Sequence, residues 1–189
     1  MRIIAGKLKG STLYMPNNKN TRPLRDMARE SIFNLLIHSK KISLNLEKSN
    51  VLDLYAGTGS FGLECLSRKA NKVCFIENEK NAIETLKKNI KKFKLENNTE
   101  IFFNNIFDIF KKKNIFNSKF NIIFCDPPFK DSNIEKLIKL IFDKNILIKD
   151  GIIIIHRNKS SKEKFPTFFK IVEERIYGIS KIIFGKFLL

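Results

Sequence analysis

The sequence predicts an α/β fold built on a mostly parallel sheet, and three observations carry that reading. First, Val51-Leu52-Asp53-Leu54-Tyr55-Ala56-Gly57-Thr58-Gly59-Ser60-Phe61-Gly62 runs from strand-favouring residues through a glycine turn into an amphipathic stretch ending at Arg68. Second, short apolar runs alternate with helical patterns along the chain, the signature of a sheet layered with helices. Third, residues 151–155 are almost uniformly apolar, as expected of a strand covered on both faces.

Taken in order, residues 2–6 and 12–15 read as two short strands around the basic turn Lys7-Leu8-Lys9-Gly10-Ser11, a small hairpin ahead of the main body. Residues 17–20 read as a polar loop. Thr21-Arg22-Pro23-Leu24-Arg25-Asp26 then leads into a helix striped by Ala28, Ile32, Leu35 and Leu36. Arg25 and Arg29 are four apart and share one face of it. Together with Lys7, Lys9 and Arg22 they read either as a solvated surface or as an arm that grips phosphates.

After the glycine turn, residues 72–76 form a second strand closed by Glu77. Asn78 caps a helix striped by Ile83, Leu86, Ile90 and Phe93, whose Lys87, Lys88, Lys91, Lys92 and Lys94 face solvent. Residues 101–103 make a third strand, followed by Asn104-Asn105-Ile106-Phe107-Asp108. Residues 120–125 make a fourth, running into Asp126-Pro127-Pro128-Phe129. Ser132-x-x-Glu135 reads as a capping box opening a helix with Ile134, Leu137, Ile138 and Ile141 inward. The fifth strand, 151–155, is central. Residues 168–177 and 179–188 pair around Gly178. Neither a repeat nor a linker interrupts the 189 residues, so one domain is expected.

The net charge of +17 points to a polyanionic partner, nucleic acid first. Most of that charge is lysine in a chain also rich in isoleucine, asparagine and phenylalanine, so composition bias explains it as well. Cys65, Cys74 and Cys125 form no paired motif, which fits a reduced, cytoplasmic setting. No spacing of histidine and cysteine fits a metal. No run is long and apolar enough for a membrane span, and the N-terminus lacks a secretory pattern.

Two motifs carry chemistry. Gly57 and Gly59 allow a sharp bend and close approach of a ligand to the backbone, with helix N–H groups ready for an anion. This pattern serves a structural turn, a dinucleotide, or S-adenosylmethionine. Asp53 favours the last, because a carboxylate in a buried strand needs a partner, and the methionine part offers an ammonium group. Glu77 stands close to the roughly 20-residue spacing at which an acid meets ribose hydroxyls in doubly wound folds. Asn105 or Asp108 can accept from an adenine amino group, with Ile106 against the ring. Asp126-Pro127-Pro128-Phe129 lies at the carboxyl end of a strand, where open α/β sheets place their sites. Two prolines make the loop stiff and poor in donors. The Asp126 carboxylate and Pro127 carbonyl can grip the hydrogens of an exocyclic amine, and Phe129 can stack on the base. His156, at the end of the fifth strand, reads as a residue without a catalytic part.

Asp53-x-Tyr55-Ala56-Gly57-Thr58-Gly59 with Asp126-Pro127-Pro128-Phe129 resembles amino methyltransferases of DNA and RNA. Several further segments resemble the RsmD family: Arg2-Ile3-Ile4-Ala5-Gly6 with Gly10, Arg22-Pro23 with Arg29-Glu30-Ser31-Ile32-Phe33-Asn34, Leu52 through Glu64, Leu66-Ser67-Arg68, and Tyr177-Gly178. The resemblance implies a class I, Rossmann-like S-adenosylmethionine-dependent methyltransferase with a seven-stranded sheet ending in an antiparallel strand. It implies an N-terminal extension over residues 1–40 and a catalytic core over 41–189. Methylation of a guanine N2 in 16S rRNA, on the small ribosomal subunit and by a monomer, is the implied activity. It places the cofactor against Asp53, Tyr55, Ala56, Gly57, Gly59, Glu77, Asn105, Ile106 and Asp126, catalysis on Asp126, Pro127, Pro128 and Phe129, and RNA on Lys7, Lys9, Arg22, Arg25 and Arg29. The chain departs from the family at Leu24, Asn105 and His156. Two rivals remain, a DNA adenine-N6 methyltransferase and a non-catalytic ribosome-assembly factor with the same fold.

Overall fold

The computed structural model describes residues 1–16, 26–42 and 44–188. Its elements are α1 (Asp26–His38), β1 (Asn50–Leu54), α2 (Ser60–Ser67), β2 (Lys72–Glu77), α3 (Lys80–Phe93), β3 (Thr99–Phe103), α4 (Ile106–Ile109), β4 (Phe120–Cys125), α5 (Ile134–Asp143), β5 (Leu147–Asn158), β6 (Phe169–Tyr177) and β7 (Ser180–Phe187). One seven-stranded sheet has the order β3-β2-β1-β4-β5-β7-β6. The strands from β3 to β5 are parallel, and β7 enters antiparallel between β5 and β6. Strand order reverses at β1 and β4, which opens a crevice at their carboxyl ends.

The strand residues alternate between two apolar layers. Val51, Val73, Phe75 and Phe124 pack with Phe33, Phe61 and Leu86 of the helices on one face. Leu52, Leu54, Ile123 and Ile153 pack with Ile109, Leu137 and Ile141 on the other. Phe61 lies between Phe33 and Phe124, with ring centroids 5.3 and 4.0 Å away. Truncating such a buried ring costs about 3–5 kcal/mol. That contact holds the start of α2, and so the glycine turn, against β4.

The N-terminal segment is a hairpin reduced to one bridge, Arg2 to Thr12, rather than two strands. It keeps backbone bonds of its own, from Ile3 N–H to Ser11, Gly10 N–H to Ile3 and Leu13 N–H to Met1, and is also tied to the body of the protein. Glu64, fully buried on α2, accepts from the N–H groups of Ile4 (2.7 Å) and Ala5 (2.9 Å) and from Arg68 Nε (2.8 Å). Lys7 N–H donates to the Ser67 carbonyl. Gly6, at φ +82°, approaches so closely that a Cβ would lie 2.0 Å from the Ser67 oxygen, so only glycine fits. Ile3 and Leu13 thereby join the core.

Two helix starts differ from expectation. Glu79, not Asn78, caps α3, accepting from the N–H groups of Asn81 and Ala82. The Ser132-x-x-Glu135 capping box does not form. Asn133 takes the cap position of α5, and Asp131 Oδ1 accepts from its N–H at 2.8 Å. At α3 the Glu79 carboxylate binds two free amides more strongly than a neutral asparagine would. Among the described residues, no helix is long and apolar enough to cross a membrane.

Candidate active site

The glycine turn joins β1 to α2. Tyr55 (φ +61°), Gly57 (φ +55°) and Gly59 (φ +80°) all take left-handed conformations, and together they turn the chain sharply. A Cβ on Gly59 would lie 2.3 Å from Leu86, whereas the space in front of Gly57 is open. Ala56 N–H is tied to the Ile76 carbonyl at 3.0 Å, which anchors the turn to β2.

Asp53 is only 1% exposed, and its Oδ2 accepts from Gly62 N–H at 3.0 Å. Burial pushes its carboxyl well above the usual carboxylate range, and the Gly62 bond pulls the other way. The structure gives Asp53 a backbone partner, Gly62 N–H, where the sequence led to an ammonium group as the expected one. The buried carboxyl accepts from Gly62 N–H in the first turn of α2 and so fixes the loop.

Glu77 closes β2 and is 9% exposed. Its Oε2 accepts from Gly57 N–H at 2.7 Å, and its Oε1 accepts from both Asn78 and Glu79 N–H at 2.8 Å. Three of the carboxylate's roughly four acceptor positions are taken, so the remaining one, on Oε2, can receive a ligand hydroxyl. A cavity of about 210 Å³ opens here, lined by Tyr55, Ile76, Glu77, Asn78, Asn104, Asn105, Ile106, Phe107, Pro128 and Asp131. Asn105 caps the short helix α4 through Phe107 N–H (2.9 Å) while facing the cavity. Asp108 instead pairs with Lys111 at 2.7 Å in solvent and does not line this cavity.

Asp126 ends β4 with its N–H toward the Leu54 carbonyl. The loop after it is braced by Arg157, which the sequence did not single out. Buried on β5, Arg157 donates to the carbonyls of Pro128 (3.0 Å), Phe129 (3.3 Å) and Asp131 (2.5 Å), and pairs with Glu163 at 2.6 Å. Tyr55 donates its hydroxyl to Asp131 Oδ2 at 3.2 Å. Burial, then the Asp131 charge, push the phenol upward, so it stays a donor. His156 is a second residue missed. Its Nδ1 lies 2.7 Å from Asp126 Oδ1, its Nε2 2.9 Å from Ser180 Oγ, and its ring meets the Phe129 ring edge-on at 5.4 Å. The reading of His156 as a bystander leaves this placement unaccounted for, because the ring touches both Asp126 and Phe129. The available signal is a lone histidine directly after the apolar run 151–155 of a central strand.

The structure thus brings Tyr55, Glu77, Asn105, Ile106 and Pro128 around one cavity, with Asp126 and Phe129 on the same loop as Pro128. The described members of the predicted basic set, Lys7, Lys9 and Arg29, do not line that cavity. Arg29 is fully buried and donates to Asp26 Oδ1 and the Arg2 carbonyl. Burial lowers its pKa, and the Glu64 and Asp26 charges oppose that shift. It holds the N-terminal segment, and its assignment to RNA is corrected on the ground of burial. Lys7 and Lys9 are exposed, but at the C-terminal end of α2. Eight helical residues, about 12 Å, separate them from the glycine turn. Arg22 and Arg25 lie outside the described residues.

A mostly parallel sheet of this strand order, with a glycine turn, an acid closing β2 and an Asp-Pro-Pro-Phe loop at the switch point, is that of a class I, Rossmann-like methyltransferase. A family model described as "Conserved hypothetical protein 95" matches residues 1–186. The chain belongs to this family, the RsmD family. It is 32% identical to ribosomal RNA small subunit methyltransferase D of Haemophilus influenzae, over 95% of this chain and 90% of that one. It is 34% identical to the protein of the same name from Buchnera aphidicola, over 92% and 86% respectively. The solved structure of yhhF, a candidate methyltransferase from Escherichia coli, superposes with a TM-score of 0.84 at 28% identity, covering 99% of this chain and 97% of the other.

Proposed function

We propose that this protein methylates the N2 amine of one guanine in 16S ribosomal RNA, with S-adenosylmethionine as methyl donor and the small subunit, assembled or assembling, as substrate. The observation that carries this reading is the Asp126-Pro127-Pro128-Phe129 loop, braced by Arg157 beside the Glu77 cavity, in a chain whose relatives are named for small-subunit rRNA methylation.

The cavity suits the donor. Ile76, Ile106 and Phe107 offer apolar faces for an adenine ring, the Glu77 Oε2 offers an acceptor for a ribose hydroxyl, and Asn105 offers an amide for the ring edge. The open space at Gly57 leaves room for a chain to pass the turn. Bound there, the donor supplies a methyl group on a positively charged sulfur. The remaining work falls to the protein. A guanine N2 is a poor nucleophile, because its lone pair is shared with the ring. Asp126, through its second oxygen, and the Pro127 carbonyl accept the two N–H hydrogens and localise that lone pair. Phe129 stacks on the base and fixes its plane. The base must be unpaired or flipped to reach this depth. Positioning supplies much of the rate. Once methylated, the amine is strongly acidic, and Asp126 takes its proton or passes it to water. Lys7 and Lys9 contact flanking phosphates away from the reacting base.

Asp126→Ala tests this. Single-turnover methyl transfer to unmethylated small subunits should fall by at least about 10²-fold, the scale of a lost catalytic acceptor, with donor affinity unchanged. Asp126→Asn should retain more. A normal rate in Asp126→Ala would refute the mechanism.

A further inference from the structure

We propose that His156 is a positioning residue for methyl transfer, holding the Asp126 carboxylate so that one oxygen is fixed and the other turns to the substrate amine. This rests on the reading that Asp126 grips that amine.

The geometry comes from the sheet. Cys125 and Ile155 are register partners on β4 and β5, so Asp126, just past the end of β4, and His156, still within β5, stand side by side. Asp126 ends its strand with its side chain 23% exposed, and by itself its carboxylate could rotate about Cβ–Cγ. His156 is 5% exposed and cannot move freely. Its Nδ1 meets Asp126 Oδ1 at 2.7 Å. An ionised carboxylate has only acceptors, so Nδ1 carries the proton in that bond. The far nitrogen, Nε2, lies 2.9 Å from the Ser180 hydroxyl on β7. A hydroxyl both donates and accepts, so Ser180 anchors the ring whether Nε2 is bare or protonated. The chain Ser180–His156–Asp126 therefore runs from a buried strand to the reactive loop. The ring also abuts Phe129 edge-on, so one side chain sets both the acceptor and the stacking surface.

A histidine that only fills space would act independently of Asp126. The test is a double-mutant cycle read by single-turnover transfer to unmethylated small subunits, alongside donor affinity by calorimetry. His156→Phe should lower the rate roughly 10- to 100-fold, the range for partners that orient a reactive group, and leave donor affinity unchanged. His156→Asn, whose amide nitrogen can take the place of Nδ1, should recover most of that loss. His156→Gln, whose amide nitrogen reaches toward Ser180, should recover little. In an Asp126→Ala background, His156→Phe should cost less than about twofold more. Equal rates for the Asn and Gln variants, or a full additional loss in the Asp126→Ala background, would overturn the proposal. If His156→Phe fails to fold, the Asn and Gln pair still decides it. A normal rate in Asp126→Ala would overturn both this inference and the mechanism beneath it, whereas a slow Asp126→Ala with a fast His156→Phe would overturn this inference alone.

Discussion

Replacing Glu77 probes the side chain that ties the glycine turn to the end of β2. Its carboxylate accepts three backbone N–H groups, from Gly57, Asn78 and Glu79, and is nearly buried. Hydrogen bonds to charged groups are each worth about 1.5–3 kcal/mol. They do not add, and water entering the open cavity would satisfy some of the released donors. Glu77→Ala should therefore destabilise the fold by about 3 kcal/mol, well below the simple sum. Glu77→Gln keeps one oxygen for Asn78 and Glu79 but turns an amide N–H toward Gly57 N–H, so about half of that loss is expected. Losing the free Oε2 acceptor and loosening the turn should also weaken S-adenosylmethionine binding by about 1–3 kcal/mol, roughly 5- to 150-fold in Kd. Urea denaturation and calorimetry read the two effects separately. Wild-type stability in Glu77→Ala would show that the three bonds do not hold the turn. Wild-type donor affinity in a folded Glu77→Ala would refute the placement of the donor.

Two other perturbations follow from the same geometry. Burial raises the Asp53 pKa, so its contribution to stability is complete below its unfolded pKa, about 4, and declines as pH rises toward the folded value. Asp53→Asn, which still offers an oxygen to Gly62, should gain on the wild type in denaturation experiments as pH rises from about 4 to 8, and a pH-independent difference would contradict this. Lys7→Ala/Lys9→Ala should reduce the salt slope of RNA binding by about 1 to 2 with donor affinity intact, and an unchanged slope would return both lysines to a solvated surface.

Much of this fold was legible because local signals agreed with one another. β4 spans the predicted residues 120–125, an apolar run bounded by Lys119 and Asp126. The β6–β7 pair turns at Gly178, which takes φ +59°. The side chains whose surroundings the local sequence does not encode share a different property. Arg29, Asp53 and His156 each have a polar or charged side chain whose meaning depends on residues far along the chain or on depth of burial. Arg29 has the local pattern of a surface cation, yet the carbonyl that receives it belongs to Arg2, 27 residues away. His156 looked idle because Asp126 is 30 residues earlier and Ser180 is 24 later. Arg157 braces its loop through backbone carbonyls, which leave no mark on sequence. The order of strands gives each of these pairs its proximity, and no local pattern encodes it.

The most direct test is to map the product. Small subunits from cells lacking this protein would be incubated with the purified chain and labelled S-adenosylmethionine, and the RNA then digested and read by mass spectrometry. The account predicts label in 16S rRNA alone, at one guanine, as N2-methylguanosine, and none on double-stranded DNA. Label on an adenine N6, on DNA, or on no nucleic acid at all would contradict it.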